Sequence, residues 1–229
     1  MAVKTSENVA QFSGFSPEAL VFLRDLNDNN SKSWFDPKKS TYKELIETPA
    51  NALAESIRVQ LDSLDSQVYA AKVFRVHRDV RFSKDKTPYN PYIRMLFSSD
   101  RRIGAYFLSV DHKGIILGAG NMQFDKTLMQ SYRDRIADAS AYKALLSLVK
   151  KIDKKQTLRI EEPELKKVPA GYEASSDEQG EFLRRKGLAL WLDFELLPEL
   201  HTSKFTQFCV KTFTTLKPLN DWLEQVQAG

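Results

Sequence analysis

The sequence predicts an α+β protein, an antiparallel sheet built as a meander of about four or five strands and packed with several helices. Three observations carry this. Helix starts marked by serine or threonine next to proline precede apolar residues at helical spacing. Extended apolar segments at 74–82, 92–97 and 103–110 follow one another on short links, which join antiparallel rather than parallel strands. Asp111-His112-Lys113-Gly114 reads as a hairpin turn that returns into Ile115–Leu117.

In chain order, residues 1–11 are polar and read as a flexible tail. Residues 12–227 read as a single globular domain. Ser16-Pro17-Glu18 opens a helix with Leu20, Phe22, Leu23 and Leu26 as its apolar stripe, and Asn29-Asn30 ends it through the left-handed conformation. Trp34 and Phe35 read as core anchors. Lys38–Ile46 is a short helix, and Thr48-Pro49 starts another with Leu53, Ile57 and Leu61. Asp125–Ile136 is helical, and Ser140 caps a further helix through Val149. The lysines of Lys150–Lys155 form a solvated helix end. Leu158–Ile160 is a further short strand. Residues 161–180 are irregular, with two prolines and two glycines, and long connections of this kind serve as lids or ligand-contacting arms. Glu181–Lys186 is helical, and Leu188–Phe194 is a strand or one flank of a helix. Ser203-Lys204 opens a helix with Phe205, Phe208, Cys209 and Phe213, and Pro218 starts a last one with Leu219, Trp222 and Leu223.

A chain of 229 residues supports one large core or at most two small domains. Its net charge of +4 allows a local basic patch without demanding a nucleic-acid partner. Cys209 is the only cysteine, so neither an intrachain disulfide nor a cysteine zinc site can form. No stretch reaches the roughly 18 apolar residues of a membrane span, and no apolar segment of signal-peptide length stands at the start. The expectation is a cytoplasmic protein without a membrane partner. His77, His112 and His201 share no ligand spacing, so no metal is expected, and there is no Gly-x-Ser-x-Gly elbow. His77 and Asp79 share a strand face and read as a structural pair before they read as a base with its orienting acid. Gly118-Ala119-Gly120 lacks the third glycine of a dinucleotide fingerprint and the end of a P-loop. It reads first as close packing. Its functional reading is that the backbone N–H groups of Gly118 and Gly120 help to hold an anion.

Chemistry concentrates in the stretch 74–92, FRVHRDVRFSKDKTPYNPY. Phe74, Val76, Val80 and Phe82 alternate with Arg75, His77, Asp79, Arg81 and Ser83, the pattern of a half-buried strand. Arg78 has the wrong parity and needs a partner such as Asp85. Ser83–Pro88 reads as a turn. Arg75, Arg78 and Arg81 offer planar forks for carboxylate or phosphate oxygens, and Lys84 and Lys86 add point charges. Ser83 and Tyr89 add hydroxyls, and Asp79 and Asp85 orient the cations. Five cations face two carboxylates.

The core Arg-x-x-Arg-Asp-x-Arg-Phe-Ser-Lys-Asp-Lys-x-Pro-Tyr resembles the hallmark of domain-of-unknown-function family 2461, conserved hypothetical proteins of bacteria and fungi. Phe12-Ser13-Gly14-Phe15, Asn29-Asn30 before Trp34-Phe35, Tyr42, Pro49, the Gly-Ala-Gly, Val168-Pro169-x-Gly171-Tyr172 and Lys186 also fall at family positions. The resemblance implies one compact domain of helices and antiparallel sheet with a site on the motif, and it adds Lys186 to the candidates. It transfers no activity or cofactor, and His77 stands where the family commonly has an aromatic.

Three readings of the motif follow. The leading one is a cleft for an anionic, phosphate-bearing small molecule, set by Arg75, Arg78 and Arg81, closed by Ser83, Lys84 and Lys86, with Tyr89 at the rim. The second is a nucleic-acid module in which Phe82, Tyr89 and Tyr92 stack on bases while the cations follow the backbone. The third is an internal ion-pair network that ties the sheet to its helices. Enzyme and binding module share all of these residues.

Overall fold

The computed structural model describes residues 11–153 and 158–227. All but one residue of the expected N-terminal tail, and the last two lysines of Lys150–Lys155, lie outside the described residues. Six strands form one antiparallel sheet: β1 Ala70–Val73, β2 Ile93–Ser98, β3 Ala105–Val110, β4 Gly114–Asn121, β5 Leu158–Ile160 and β6 Leu188–Glu195, in the order β1-β2-β3-β4-β6-β5. The α+β class holds. The strand count exceeds the expected four or five because β5 and β6 both join, paired antiparallel with Leu158 opposite Leu192 and Ile160 opposite Leu190.

Two compact units, each discontinuous in sequence, group these elements. The first comprises the segment up to Phe97, Leu108–Ile115 and Phe194–Lys211. Its helix α1, Pro17–Asp28, starts after extended Ser16 as foreseen, but the Ser16 hydroxyl makes no capping bond; the helix buries Phe22, Leu23 and Leu26. Asn29 does not take the left-handed form. At φ −126° its amide Nδ2 and its backbone N–H both donate to the Asp25 carbonyl, so the side chain ends the helix.

The two short helices expected next are one nearly continuous helical run. It passes from α2 Lys32–Phe35 through a 3-10 turn (Asp36–Lys38), α3 Lys39–Tyr42 and a π-helical turn (Lys43–Glu47) into α4 Thr48–Asp65. Ser31 caps it, its hydroxyl accepting from Trp34 N–H. Pro49 has no N–H to give to the preceding turn, and the π turn just before it absorbs the mismatch instead of ending the helix. Leu53, Ile57 and Leu61 are fully buried on one face. The Phe12-Ser13-Gly14-Phe15 segment belongs to the core. Both phenylalanines are buried in edge contact at 5.3 Å, and His201 Nδ1–H donates to the Phe15 carbonyl at 2.8 Å.

The second unit comprises Ser98–Phe107, Ile116–Asp193 and the segment from Thr212 onward. Asp125 caps α5, Lys126–Ala137. The cap of α6, Ala139–Ile152, is Asp138 rather than Ser140, its carboxylate accepting from Ala141 N–H at 2.8 Å and from the Ser140 hydroxyl at 2.7 Å. Helix α7 is Asp177–Leu183, capped by Ser176. It starts earlier than expected because the serine and two acids at its first turn suit a helix N-terminus. The last two expected helices are one, α8 Lys204–Gln227, with Pro218 inside it. Proline in a helix interior costs about 3 kcal/mol. Buried Phe213, Leu216, Leu219, Leu223 and Val226 keep one stripe in phase on both sides of Pro218 and offset that cost.

Candidate functional site

The motif stretch is not a strand. Strand β1 stops at Val73, and beyond the Phe74 N–H to Arg94 carbonyl bond only one bridge remains, His77 with Tyr89. Two aspartates explain the break. Asp79 accepts from the backbone N–H of Arg81 at 3.2 Å and Asp85 from that of Thr87 at 2.9 Å, each two residues on. These local bonds satisfy donors that a ladder would have used and curl the chain into a loop. The expected alternation fails with it: Phe82 is 96% exposed and Phe74 42%.

The loop is closed by its own charges. Arg78 donates to the Asp85 carboxylate and to the Thr87 hydroxyl, and its backbone N–H donates to Pro88. Arg81 grips Asp79 through Nε at 2.9 Å and a terminal nitrogen at 2.6 Å, with both partners largely exposed. Lys86 donates to the Val80 carbonyl at 2.9 Å. The Thr87 N–H, then Arg78, then the Thr87 hydroxyl hold the Asp85 carboxyl down at about 2, well below the ordinary carboxylate range.

A second lock joins the loop to the helical run of the same unit. Asn30 presents both halves of its amide to the backbone of Tyr89, donating to its carbonyl at 2.9 Å and accepting from its N–H at 3.0 Å. Tyr89, expected at a ligand-facing rim, is instead 2% exposed and packs on Phe35 with ring centroids 4.1 Å apart. The His77 ring meets Tyr89 edge-on at 5.2 Å and Phe35 at 6.3 Å. It sits in an aromatic cluster, and no contact with Asp79 bears out the expected pair.

Beside this cluster lies a cleft of about 430 Å³, lined on one wall by Phe35, Lys39, Tyr42, Lys43, Ile46, Glu47, Ala50 and Asn51, and on the other by Val73–His77 with Ile93. The helical wall follows from spacing, because residues three and four apart share a face. Lys39 pairs with Asp36 at 2.9 Å. No hydrogen bond or ion pair holds the side chains of Lys43 and Arg75. Burial, then the Glu47 charge, pushes the Tyr42 phenol up to about 12, so at neutral pH it is a hydrogen-bond donor.

Of the sequence candidates, Arg75 alone lines this cleft. Arg78, Asp79, Arg81, Asp85 and Lys86 hold the loop together. Lys84 is exposed and Ser83 half-buried on the same loop. Gly118, Gly120 and Lys186 lie in the second unit, where the glycines serve packing. A side chain on Gly118 would run into the Trp191 ring, and one on Gly120 into the Leu188 carbonyl. The Lys186 backbone N–H donates to Glu164 and its carbonyl accepts from Phe124. Lys39, Tyr42, Lys43 and Glu47 were missed. Their signal was present in the i, i+4 spacing of Lys39 and Lys43 on the expected helix Lys38–Ile46, with Glu47 in phase one residue past its end.

Among the described residues, no group of three or more histidine, cysteine or acidic side chains is placed to hold a metal ion, and no helix is long and apolar enough to cross a membrane. The molecule is thus an α+β protein whose first unit presents a small cleft with unpaired cations beside a self-paired loop. The chain belongs to the conserved hypothetical protein family DUF2461, whose profile matches residues 18–222. Comparison with curated proteins gave no match.

Proposed function

We propose that the protein binds an anionic, phosphate-bearing small molecule in the cleft of its first unit, with Arg75 and Lys43 as the primary anion contacts. One observation supports this above the others: these two cations line a cavity and neither is held by a hydrogen bond or ion pair, with the Asp79 charge acting on Arg75 only at longer range, whereas Arg78 and Arg81 of the motif are already paired. Unpaired guanidinium and ammonium groups at a concave site favour phosphate or carboxylate oxygens. The Tyr42 hydroxyl adds a neutral donor, and Phe35 and Ile46 give an apolar floor for the rest of the ligand. The proposed setting is the cytoplasm, in keeping with a single cysteine that is buried and unbridged.

The test is a thermal-shift screen of the full chain against nucleotides, sugar phosphates and polyphosphate at millimolar concentration. The expected result is a phosphate-bearing compound that stabilises the wild type and Arg81→Ala but not the Lys43→Ala/Arg75→Ala double variant. Equal stabilisation of all three, or of none, refutes the proposal.

A second reading applies to the motif rather than to the cleft. The pairing of Arg78 with Asp85 and of Arg81 with Asp79 supports a structural role for those four charges. The two readings divide the residues between them, since the paired charges shape the loop that carries Arg75.

A further inference from the structure

The outer face of the β1–β2 pair, in the first unit, carries chemistry that neither the cleft nor the motif loop uses. Ile93, Met95 and Phe97 of β2 are all buried, so Arg94 stands on the opposite face, exposed. The Phe74 N–H donates to the Arg94 carbonyl at 2.9 Å, which sets Phe74 across from Arg94 just beyond the end of β1. Residues opposite one another on antiparallel strands share a face, as do residues two apart on one strand. Lys72, Phe74 and Arg94 therefore project to the same side. Two contacts complete the group. Lys72 Nζ lies 4.9 Å from the centre of the Phe74 ring, and the Arg94 guanidinium lies 4.3 Å from that of Tyr92. The Tyr92 hydroxyl donates to Asn90 at 2.7 Å, which holds the second ring in place.

This face is open, aromatic and cationic at once. Phe74 is 42% exposed and Tyr92 half-buried. Among the described residues, no carboxylate forms an ion pair with Lys72 or Arg94, and the partners that these two cations do have are rings. Other surface cations of the same unit differ: Arg24, Lys39 and Arg81 each hold an aspartate. A partner complementary to such a face is negatively charged and has flat aromatic surfaces of its own. A lone phosphate or an acidic peptide would meet the cations and leave the rings in water. A nucleic-acid duplex has the charge but keeps its base faces inside the stack. A single strand offers a phosphate and an accessible base face at every step.

We infer that the outer face of β1 and β2 binds single-stranded nucleic acid, with Phe74 and Tyr92 taking adjacent bases and Lys72 and Arg94 the phosphates beside them. Stacking on rings backed by cations tolerates any base, so the preference is for strandedness rather than sequence. The face is distinct from the phosphate cleft, since Lys72, Tyr92 and Arg94 do not line it. It is also distinct from the stacking set expected from the sequence, because Tyr89 is buried and Phe82 belongs to the loop.

Fluorescence anisotropy of a short labelled oligothymidylate, titrated with the full chain at several salt concentrations, tests this. Binding is expected, with a slope of log affinity against log salt of about −1.4, two cations at about 0.7 each, and Lys72→Ala should reduce that slope by about 0.7. Phe74→Ala and Tyr92→Ala should each weaken binding about tenfold, the effect of one lost stacking partner, while Phe74→Tyr keeps a ring and should bind as the wild type does. Phe82→Ser on the loop and Lys43→Ala in the cleft should also bind as the wild type does, so loss of the cleft ligand and loss of the oligonucleotide are separate results. Circular dichroism melting of each variant distinguishes lost binding from lost folding, and if Tyr92→Ala melts early, Phe74→Ala and the Lys72→Ala slope carry the test. Absence of binding at low salt overturns the assignment. So does equal affinity for the duplex form, or unchanged affinity in both alanine ring variants. Loss of binding in Phe82→Ser would move the site to the loop and overturn it too. Polyglutamate that displaces the oligonucleotide, and whose own binding ignores the ring variants, would name an acidic protein partner in its place.

Discussion

Gly120 sets the spacing between β4 and β6, and replacing it with alanine tests the fold where a phosphate loop was one reading of the sequence. Its φ is +130°, in the region that only glycine visits readily, so Gly120→Ala incurs backbone strain of about 1–3 kcal/mol. The added Cβ would also lie 2.2 Å from the Leu188 carbonyl oxygen and 2.7 Å from the Ala189 Cα. Both are backbone atoms of the neighbouring strand, so no rotamer change relieves the contact, and overpacking adds about 1–3 kcal/mol. The sum, about 2–6 kcal/mol, is a large part of an ordinary domain's stability of about 5–15 kcal/mol. At about 2–4 °C per kcal/mol for a chain of this size, the melting temperature should fall by about 4–24 °C.

Gly171 supplies the control. Its φ is +87°, but a Cβ there would meet nothing within 4 Å. Gly171→Ala therefore carries the conformational cost alone, about 1–3 kcal/mol, and the difference between the two variants isolates the steric clash. Urea unfolding followed by circular dichroism measures both. Equal losses for Gly120→Ala and Gly171→Ala would refute the close approach of β4 to β6. A Gly120→Ala protein of wild-type stability would refute the packing role entirely.

Three further outcomes are expected. The Asp85 carboxyl should titrate near 2 by carbon-detected NMR. Its folded value lies below the unfolded value of about 3.9, so its contribution to stability is present above that pH and is lost as pH falls through about 2; a midpoint near 4 would dissolve the Arg78–Asp85–Thr87 knot. Phe82→Ser should change stability by no more than about 0.5 kcal/mol, because the ring is 96% exposed, while loss of oligonucleotide binding in that variant, together with a steep salt dependence in the wild type, would favour the nucleic-acid reading over the cleft. Cys209 is fully buried in α8, and burial raises its thiol well above the ordinary range, so a thiol reagent should label it only after unfolding; rapid labelling of the native protein would show that α8 opens locally.

Much of the fold was legible because single residues carried local rules. Pro17 after Ser16 marked the start of α1, Asp125 that of α5, and Asp111–Gly114 the hairpin, where Asp111 accepts from Lys113 and Gly114 N–H at 2.6 and 2.9 Å. Thr48-Pro49 does open α4, although the π turn before it keeps the helical run going. Pro218 misled: it was read as a boundary, and it lies within α8, whose buried stripe outweighs one lost hydrogen bond. The cleft was not legible, since its two walls are about thirty residues apart in sequence and only the tertiary fold joins them.

The misreading of the motif points to how it works. Alternating apolar and polar residues are compatible with a strand only if the backbone donors are free to form a ladder. Asp79 and Asp85 each take a donor two residues on, and Asn30 takes another from Tyr89. The same side chains that look like ligand groups in a linear sequence therefore act first on the chain itself. Consider what this implies for charge. Arg78 and Arg81 are neutralised by the carboxylates that bend the loop, which leaves Arg75 at its base and Lys84 at its tip without an ion pair, Arg75 feeling only the more distant Asp79 charge. An anion entering the cleft would meet Arg75 at a fixed point, because Val76 and Tyr89 on either side of the His77 bridge are buried and the loop is locked at both Asn30 and Asp85. Unlocking the loop should then cost affinity without removing any anion contact. Asn30→Ala removes only the clamp on Tyr89, so it should weaken a cleft ligand by about tenfold while leaving Arg75 and Lys43 in place, and an unchanged affinity would show that the cleft does not depend on the motif.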